Sequence, residues 1–337
     1  MPLQRRQFLQ RSFAFSAAVA LGIDSVRSFA SKPANVPGDS TDDAMFLAIG
    51  DFGSNNKEQR AVANAMRKHL EDVNRKPSGL LLVGDNFYGK MTGGVKSDRW
   101  RTGFEQMYDA ATFPGPCYAV LGNHDYGDNK GGELTQLAYA TATPGTRWTM
   151  PAKWYRVDYP TVNPIVTMLF LDSNLASVTA TIDKKTGKYK PSLKPQEATA
   201  QLAWLHGELA KPRAAFTMVV AHHPLFSNGN HGDNKSLIAA WDGLLREHKV
   251  PFYLCGHDHD MQHLEFEGHP TSFLLSGGGG ARTRTLKNTV RGPFGQPIYG
   301  FTQFQFNAER AIVQHVDANR KVIHRFSKTP AGEVAVG

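Results

Sequence analysis

Six apolar runs of strand length punctuate the first three-quarters of this chain, at 44–49, 79–83, 117–121, 165–171, 215–220 and 250–255. Between several of them lie stretches with helical spacing of apolar residues, among them Glu58 to Leu70, Pro195 to Leu209 and Lys235 to His248. Strands that alternate with helices bury their apolar residues by lining up in a sheet with helices against its faces, so the pattern predicts an α/β core with buried strands. After residue 260 the pattern changes. Short alternating segments near 261–266, 272–276, 299–307 and 309–327 read as antiparallel sheet, packed on the first sheet or continuing it. No Pro/Gly-rich linker divides this stretch, which predicts one domain over 44–330.

Composition narrows the classes of function. A chain of 337 residues with 41% apolar and 20% charged residues can bury a large core and is neither disordered nor fibrous. The formal charge of +8 is partly a terminal effect, because Arg5, Arg6, Arg11 and Arg27 face only Asp24 in the first thirty residues. The remaining basic residues are scattered rather than gathered in a stripe, which argues against nucleic-acid binding. Arg5-Arg6-Gln7-Phe8-Leu9-Gln10, the apolar stretch from Phe13 to Ile23, and Ser28-Phe29-Ala30 together read as a cleavable twin-arginine export signal over 1–30. A Pro/Ser/Gly/Asp-rich linker over 31–43 comes next. The expected location is therefore periplasmic or extracellular, the expected transport partner the twin-arginine translocase, and no stable membrane insertion is expected. Cys117 and Cys255 allow at most one disulfide and no Cys-rich zinc site; both sit beside strand-like runs and read as small buried hydrophobes, their pairing left open.

The residues just beyond the apolar runs carry the chemistry. Ile49 leads into Gly50-Asp51-Phe52-Gly53, Val83 into Gly84-Asp85-Asn86-Phe87-Tyr88, Leu121 into Gly122-Asn123-His124-Asp125, Val220 into Ala221-His222-His223-Pro224, and Cys255 into Gly256-His257-Asp258-His259. A single aspartate after a strand is ordinarily a helix N-cap. Five metal-capable clusters in order are not ordinary, and in α/β sheets loops at the carboxyl ends of strands converge on one site. His257 and His259, at i and i+2 of an extended segment, project to the same side. Mixed oxygen and nitrogen donors suit Fe, Zn or Mn better than Ca or Mg. There are donors enough for two ions, which together can hold a phosphoryl oxygen and activate water, so phosphoester hydrolysis is the expected reaction.

These strings resemble the calcineurin-like metallophosphoesterases. Where most members carry Asp-x-His, this chain has Asp51-Phe52-Gly53, with Tyr88 three residues after Asp85. A missing histidine with a compensating tyrosine resembles purple acid phosphatases, in particular the small, tartrate-resistant type. So do Tyr253-Leu254-Cys255-Gly256-His257-Asp258-His259 and a histidine nine residues after His222, His231. The resemblance covers about 45 to 280. It implies a β-sandwich of two mixed sheets flanked by helices and a dinuclear acid phosphatase that attacks phosphomonoesters with a metal-bound hydroxide and releases inorganic phosphate. Carried over by position, one ion takes Asp51, Asp85, Tyr88 and His259, and the second takes Asp85, Asn123, His222 and His257, with Asp85 shared. Phenolate and carboxylates favour Fe(III) at the first site; neutral donors leave divalent Fe, Zn or Mn for the second.

The same resemblance makes His124 a hydrogen-bond donor or general acid toward phosphate, with Asp125 orienting its ring, and His231 a proton donor to the leaving oxygen. His223 reads as structural. Gly277-Gly278-Gly279-Gly280 reads equally as pocket lining or as a flexible turn; Arg282, Arg284 and Lys287 read as a solvated face or as an attractor of anions. Two other functions stay open: a phosphodiesterase or nucleotidase of the same superfamily, and an iron-bearing phosphate-binding or redox protein.

Overall fold

Two mixed sheets stack face to face in the structure, a computed structural model that describes residues 43–179, 191–287 and 291–337. The expected export signal, and the linker up to residue 42, lie outside the described residues. All described residues fall in one unit, Val36–Gly337.

The first sheet begins with β1 (Asp43–Ile49), β2 (Gly79–Leu82), β3 (Cys117–Ala119) and β4 (Trp148–Thr149), all parallel. The second is built from β5 (Tyr155–Tyr159), β6 (Val166–Phe170), β7 (Phe216–Val220), β8 (Phe252–Cys255), β9 (Met261–Leu264), β10 (Ser272–Ser276) and β11 (Phe294–Gln296) in the order β11-β9-β10-β8-β7-β6-β5. The chain then returns to the first sheet with β12 (Gly300–Asn307), β13 (Ala311–Asp317), β14 (Val322–Lys328) and β15 (Val334–Val336), where β12 pairs antiparallel with β1. The tail expected to be antiparallel after residue 260 is thus divided between both sheets, and within it β10 pairs antiparallel with β9 but parallel with β8. The stretch 309–327 is a hairpin rather than one segment, turning at Arg320, whose φ of 70° is left-handed.

Period-2 alternation decides which side chains meet which layer. Met168, Phe170, Phe216, Met218 and Phe252 point inward between the sheets. There Phe216 lies 5.6 Å from Phe306 and Phe252 lies 6.1 Å from it, centroid to centroid. Leu169, Leu171, Val219 and Tyr253 point outward to a second core. Helix α1 (Lys57–Asp72), α2 (Gly132–Ala142) and α3 (Pro195–Ala210) cover the sheets from outside, and α3 contributes Leu205 and Leu209 to that second core. Helix α1 starts where the Asn56 side chain accepts the Gln59 N–H at 2.8 Å, and it buries Val62, Met66 and Leu70 at i, i+4, i+8 spacing. The helix expected over 235–248 spans Lys235 to Glu247 but is interrupted by a π-helical turn at Ile238–Asp242. Strands β4, β5, β11 and β15 and helix α2 lack a strong pattern in the sequence; β4, β11 and β15 are two or three residues long, and β5 is only partly buried.

Cys117 lies in one sheet and Cys255 in the other; both are free and buried. No helix among the described residues is long and apolar enough to cross a membrane. The parallel strands β1, β2 and β3 of one sheet and β7 and β8 of the other send their carboxyl ends to the same rim, locked together by Gly50 N–H donating to Ser276 O at 2.7 Å and Gly279 N–H to Gly50 O at 3.1 Å.

Candidate metal centre

Seven side chains expected at the site come together at that rim in two adjoining clusters. In the first, Tyr88 Oη lies 3.3 Å from both Asp51 Oδ1 and His259 Nε2, and His259 Nε2 lies 3.4 Å from Asp51 Oδ1. In the second, His222 Nε2 lies 3.2 Å from Asn123 Oδ1, 3.2 Å from His257 Nδ1 and 3.5 Å from Asp85 Oδ1. Asp51, Asp85 and His222 each place one donor atom within 4.8 Å of the others, so Asp85 lies within reach of both clusters.

The backbone is bent to achieve this. Asp51, Asp85 and His257 have φ of 56°, 51° and 70°, the left-handed region that L-residues seldom adopt and that concentrates at functional sites. For His257 this replaces the extended geometry expected from the i, i+2 spacing: the segment is a turn, and its two histidines go to different clusters. Gly122 supplies the close approach. A Cβ there would meet Asp85 N and Oδ1 at 2.2 Å.

The imidazoles are aimed by their outer nitrogens. His222 Nδ1–H donates to Val83 O at 2.9 Å and His259 Nδ1–H to Arg282 O at 2.8 Å, which leaves each Nε2 lone pair facing the cluster. The Asp51 and Asp85 carboxylates are buried, and among the described residues neither is paired with a lysine or arginine. Burial, then the charges of Asp85 and Asp51, push the Tyr88 phenol well above its ordinary range, so a phenolate there needs a cation beside it. Buried anions lacking a cationic partner, together with imidazole lone pairs turned toward them, fit a pair of metal ions. Asp51, Asp85, Tyr88 and His259 would hold one, and Asp85, Asn123, His222 and His257 the other.

One role expected from the sequence changes. Asp125 does not orient His124. Residues 123–127 form a helical turn, so the partner on the same face is four residues on: His124 Nδ1 lies 3.1 Å from both oxygens of Asp128. Burial alone would lower the pKa of His124, but the Asp128 hydrogen bond and the Asp85 charge outweigh it and raise it to about 9. Asp125 is instead the tie between loops: its buried carboxylate accepts N–H groups of Gly122 (2.8 Å), Asn86 and Phe87 (both 3.2 Å) and Gln136 Nε2 (2.7 Å). Burial, then the Asp85 charge, raises its pKa to about 7. His231 sits at the rim, 39% exposed, with its ring 4.2 Å from that of His257.

His223 is buried and bonded through Nδ1 to Ser173 Oγ at 2.8 Å, yet it also stands third in a cluster with His222 and His257 whose nitrogens lie within 4.8 Å of one another. The glycine run is packed rather than loose. Cβ atoms at Gly277 and Gly279 would meet Asp258 O at 2.0 Å and Gly50 O at 2.3 Å. The sequence reading missed Asp128, for which the i, i+4 spacing was the available signal, and the polar end of β6. That end, Asp172-Ser173-Asn174, props the site from behind: Asp172 accepts the Tyr126 hydroxyl at 2.6 Å and Ser173 holds His223. It missed Arg99 too, which bonds the carbonyls of Tyr88 and Gly53 and fixes the tyrosine loop to the Asp51 loop.

Residues 44–261 match the calcineurin-like phosphoesterase family. The chain belongs to that family. It is similar to purple acid phosphatase 7 of Arabidopsis thaliana, 30% identical over 294 residues, 84% of this chain and 85% of that one. It is likewise similar to tartrate-resistant acid phosphatase type 5 of Sus scrofa, 29% identical over 279 residues, 79% of this chain and 77% of that one. A purple acid phosphatase from yellow lupin seeds shares the fold at 17% identity with a TM-score of 0.62, over 85% of this chain and 54% of that one. So does GAP50, the anchor in the inner membrane complex of Plasmodium, at 20% identity with a TM-score of 0.68, over 84% and 88%. The protein is therefore a metallophosphoesterase related to purple acid phosphatases, with two sets of buried His and Asp residues as candidate metal sites.

The packing at Gly122 yields one prediction. Gly122→Ala should displace the Asp85 carboxylate and lower metal retention by more than about 10-fold, as loss of orienting contacts does. Metal content after desalting, compared with wild type, measures it; unchanged content would mean that Asp85 is not held from this side.

Proposed function

We propose that this phosphoesterase is an exported acid phosphatase of the purple type, hydrolysing phosphomonoesters with Fe(III) in the tyrosine site and divalent Fe, Zn or Mn in the other. The observation that carries this reading is Tyr88 Oη beside Asp51 and His259, each at 3.3 Å, because an anionic phenolate among carboxylates selects a trivalent ion. When bound, the ions neutralise phosphoryl charge and lower the pKa of coordinated water, which supplies the nucleophile.

The chain's own residues bind and move protons around that centre. His124, its ring 4.6 Å from that of Tyr88 and its Nδ1 anchored on Asp128, presents Nε2–H to a phosphoryl oxygen above the first cluster. His231 lies over His257 of the second cluster, and delivers a proton to the departing alcohol. The twin-arginine string fits a chain that folds and takes up metal before it leaves the cytoplasm.

Protein recovered from the exported fraction is expected to carry iron, to absorb in the visible through phenolate-to-iron charge transfer, and to cleave monoesters faster than diesters at mildly acidic pH. Tyr88→Phe should bleach that band; an unchanged spectrum would remove Tyr88 from the ligand set. Faster cleavage of diesters would favour a phosphodiesterase or nucleotidase, and no turnover by fully metallated protein a phosphate-binding or redox protein.

A further inference from the structure

Asp258 stands between His257 and His259 but takes no part in either cluster. Its carboxylate is fully buried and turns the other way, toward the loop 227–231. Oδ1 accepts the His231 backbone N–H at 3.1 Å and His231 Nδ1–H at 2.7 Å, while Oδ2 accepts the Ser227 hydroxyl. Ser227 Oγ is itself held by Gly229 N–H at 2.8 Å and Gln262 Nε2 at 3.1 Å. Gly229 is packed so closely that a Cβ there would meet the Asp258 carboxylate at 2.4 Å. Among the described residues no lysine or arginine pairs with this carboxylate.

A buried carboxylate on Nδ1 determines an imidazole's tautomer and orientation. With Nδ1–H committed to Asp258, the nitrogen left for chemistry is Nε2; Arg284 Nη1 lies beside the ring, 3.4 Å from Nδ1 and 3.2 Å from Nε2. We propose that Asp258 is a positioning residue: it locks His231 so that Nε2, and no other atom of the ring, carries the proton given to the leaving oxygen. Ser227 and Gly229 are its supports. The inference rests on the phosphatase reading and adds to it a residue that acts through another.

Water supplies the oxygen of a new P–O bond and gives up a proton to solvent, while the P–O bond to the leaving group breaks with its electron pair staying on oxygen; the Nε2 proton of a His231 imidazolium moves to that oxygen, leaving neutral His231 with Nδ1–H on Asp258. Proton donation matters most for poor leaving groups such as alkoxides and little for nitrophenolate.

The test compares glycerol phosphate with p-nitrophenyl phosphate, using metallated full-length protein. Asp258→Asn presents an amide that can donate to Nδ1 and invert the tautomer. It should lower kcat on glycerol phosphate by about 100-fold, the lower end of what a lost general acid costs, and on p-nitrophenyl phosphate by about 3-fold. Both KM values, the iron content and the visible band should change little. His231→Gln should reproduce the pattern, and adding Asp258→Asn to it should cost nothing more. Ser227→Ala, which leaves the carboxylate in place, should show the same leaving-group bias at roughly one-tenth of the size, and decides the matter if Asp258→Asn loses metal. Equal losses on both substrates, or a full further loss in the double variant, would overturn the proposal. Wild-type protein inactive on both esters would instead overturn the phosphatase reading.

Discussion

Replacing Asp85 with asparagine is expected to cost more activity than any other single change, beyond the ~10–100-fold typical of residues that merely orient a ligand. The side chain is buried, accepts the His124 N–H at 2.9 Å, and lies within donor distance of His222 in one cluster and of Asp51 in the other. An amide of the same shape keeps the packing but removes a negative charge that two cations held by these residues would share. Two neighbouring cations repel each other, so loss of that anion would weaken both sites together. Metal analysis should show less than two ions per chain, and turnover should fall in parallel. A variant that retained both metals and wild-type turnover would show that Asp85 does not lie between them.

Acid should destabilise the fold through a buried histidine cluster outside that centre. His263, His315 and His324 sit among β9, β12, β13 and β14: His263 Nδ1 is 2.9 Å from His324 Nε2, His263 Nε2 is 2.6 Å from Glu265, and His315 bonds Thr302 Oγ1 at 2.9 Å and Gln262 O at 3.1 Å. Lys328, buried beside them, donates to the carbonyls of Pro251 and Pro270 and to Ser272 Oγ, and Ser272 bonds Glu265. Burial, then the neighbouring histidines, lowers His315 to about 3 and His324 to about 4; burial lowers His263 too. These folded-state values lie below the unfolded value of 6.5, so the unfolded chain binds the extra protons and stability is complete above 6.5 and lost as pH falls toward 4 and 3. For His315 alone, one-group linkage gives about 2 kcal/mol at about pH 5. Calorimetry should therefore find Tm lower at about pH 5 than at about pH 7 by roughly 4 °C or more. His315→Gln should recover part of that difference. A Tm that is flat across this range would mean the cluster takes up protons without cost. The metal centre and this cluster set opposing demands, since the proposed activity is favoured by mild acid and the sandwich is not.

The candidate site was legible because its five ligand motifs each follow an apolar strand, four of them through a glycine, a local pattern that a linear reading detects. The architecture was partly legible. Alternation of strands and helices up to residue 255 indicated the α/β core, whereas the division of the tail between two sheets depends on β12 pairing with β1, a contact between Phe46 and Phe304 that no local pattern encodes. Partners of the proton-carrying residues were the least visible. Asp125, adjacent to His124, was the obvious choice until the helical turn placed Asp128 beneath the ring. Asp258 looked like a spacer between two ligands.

Residue types and their spacing by themselves determined the chemistry this protein can host, because metal affinity resides in the donor atoms and each motif carries its own donors. Only the tertiary structure decided which donors share an ion and which carboxylate serves which histidine. Those assignments depend on ångström-scale distances between loops of two different sheets, and on left-handed turns at Asp51, Asp85 and His257 that the surrounding packing holds in place.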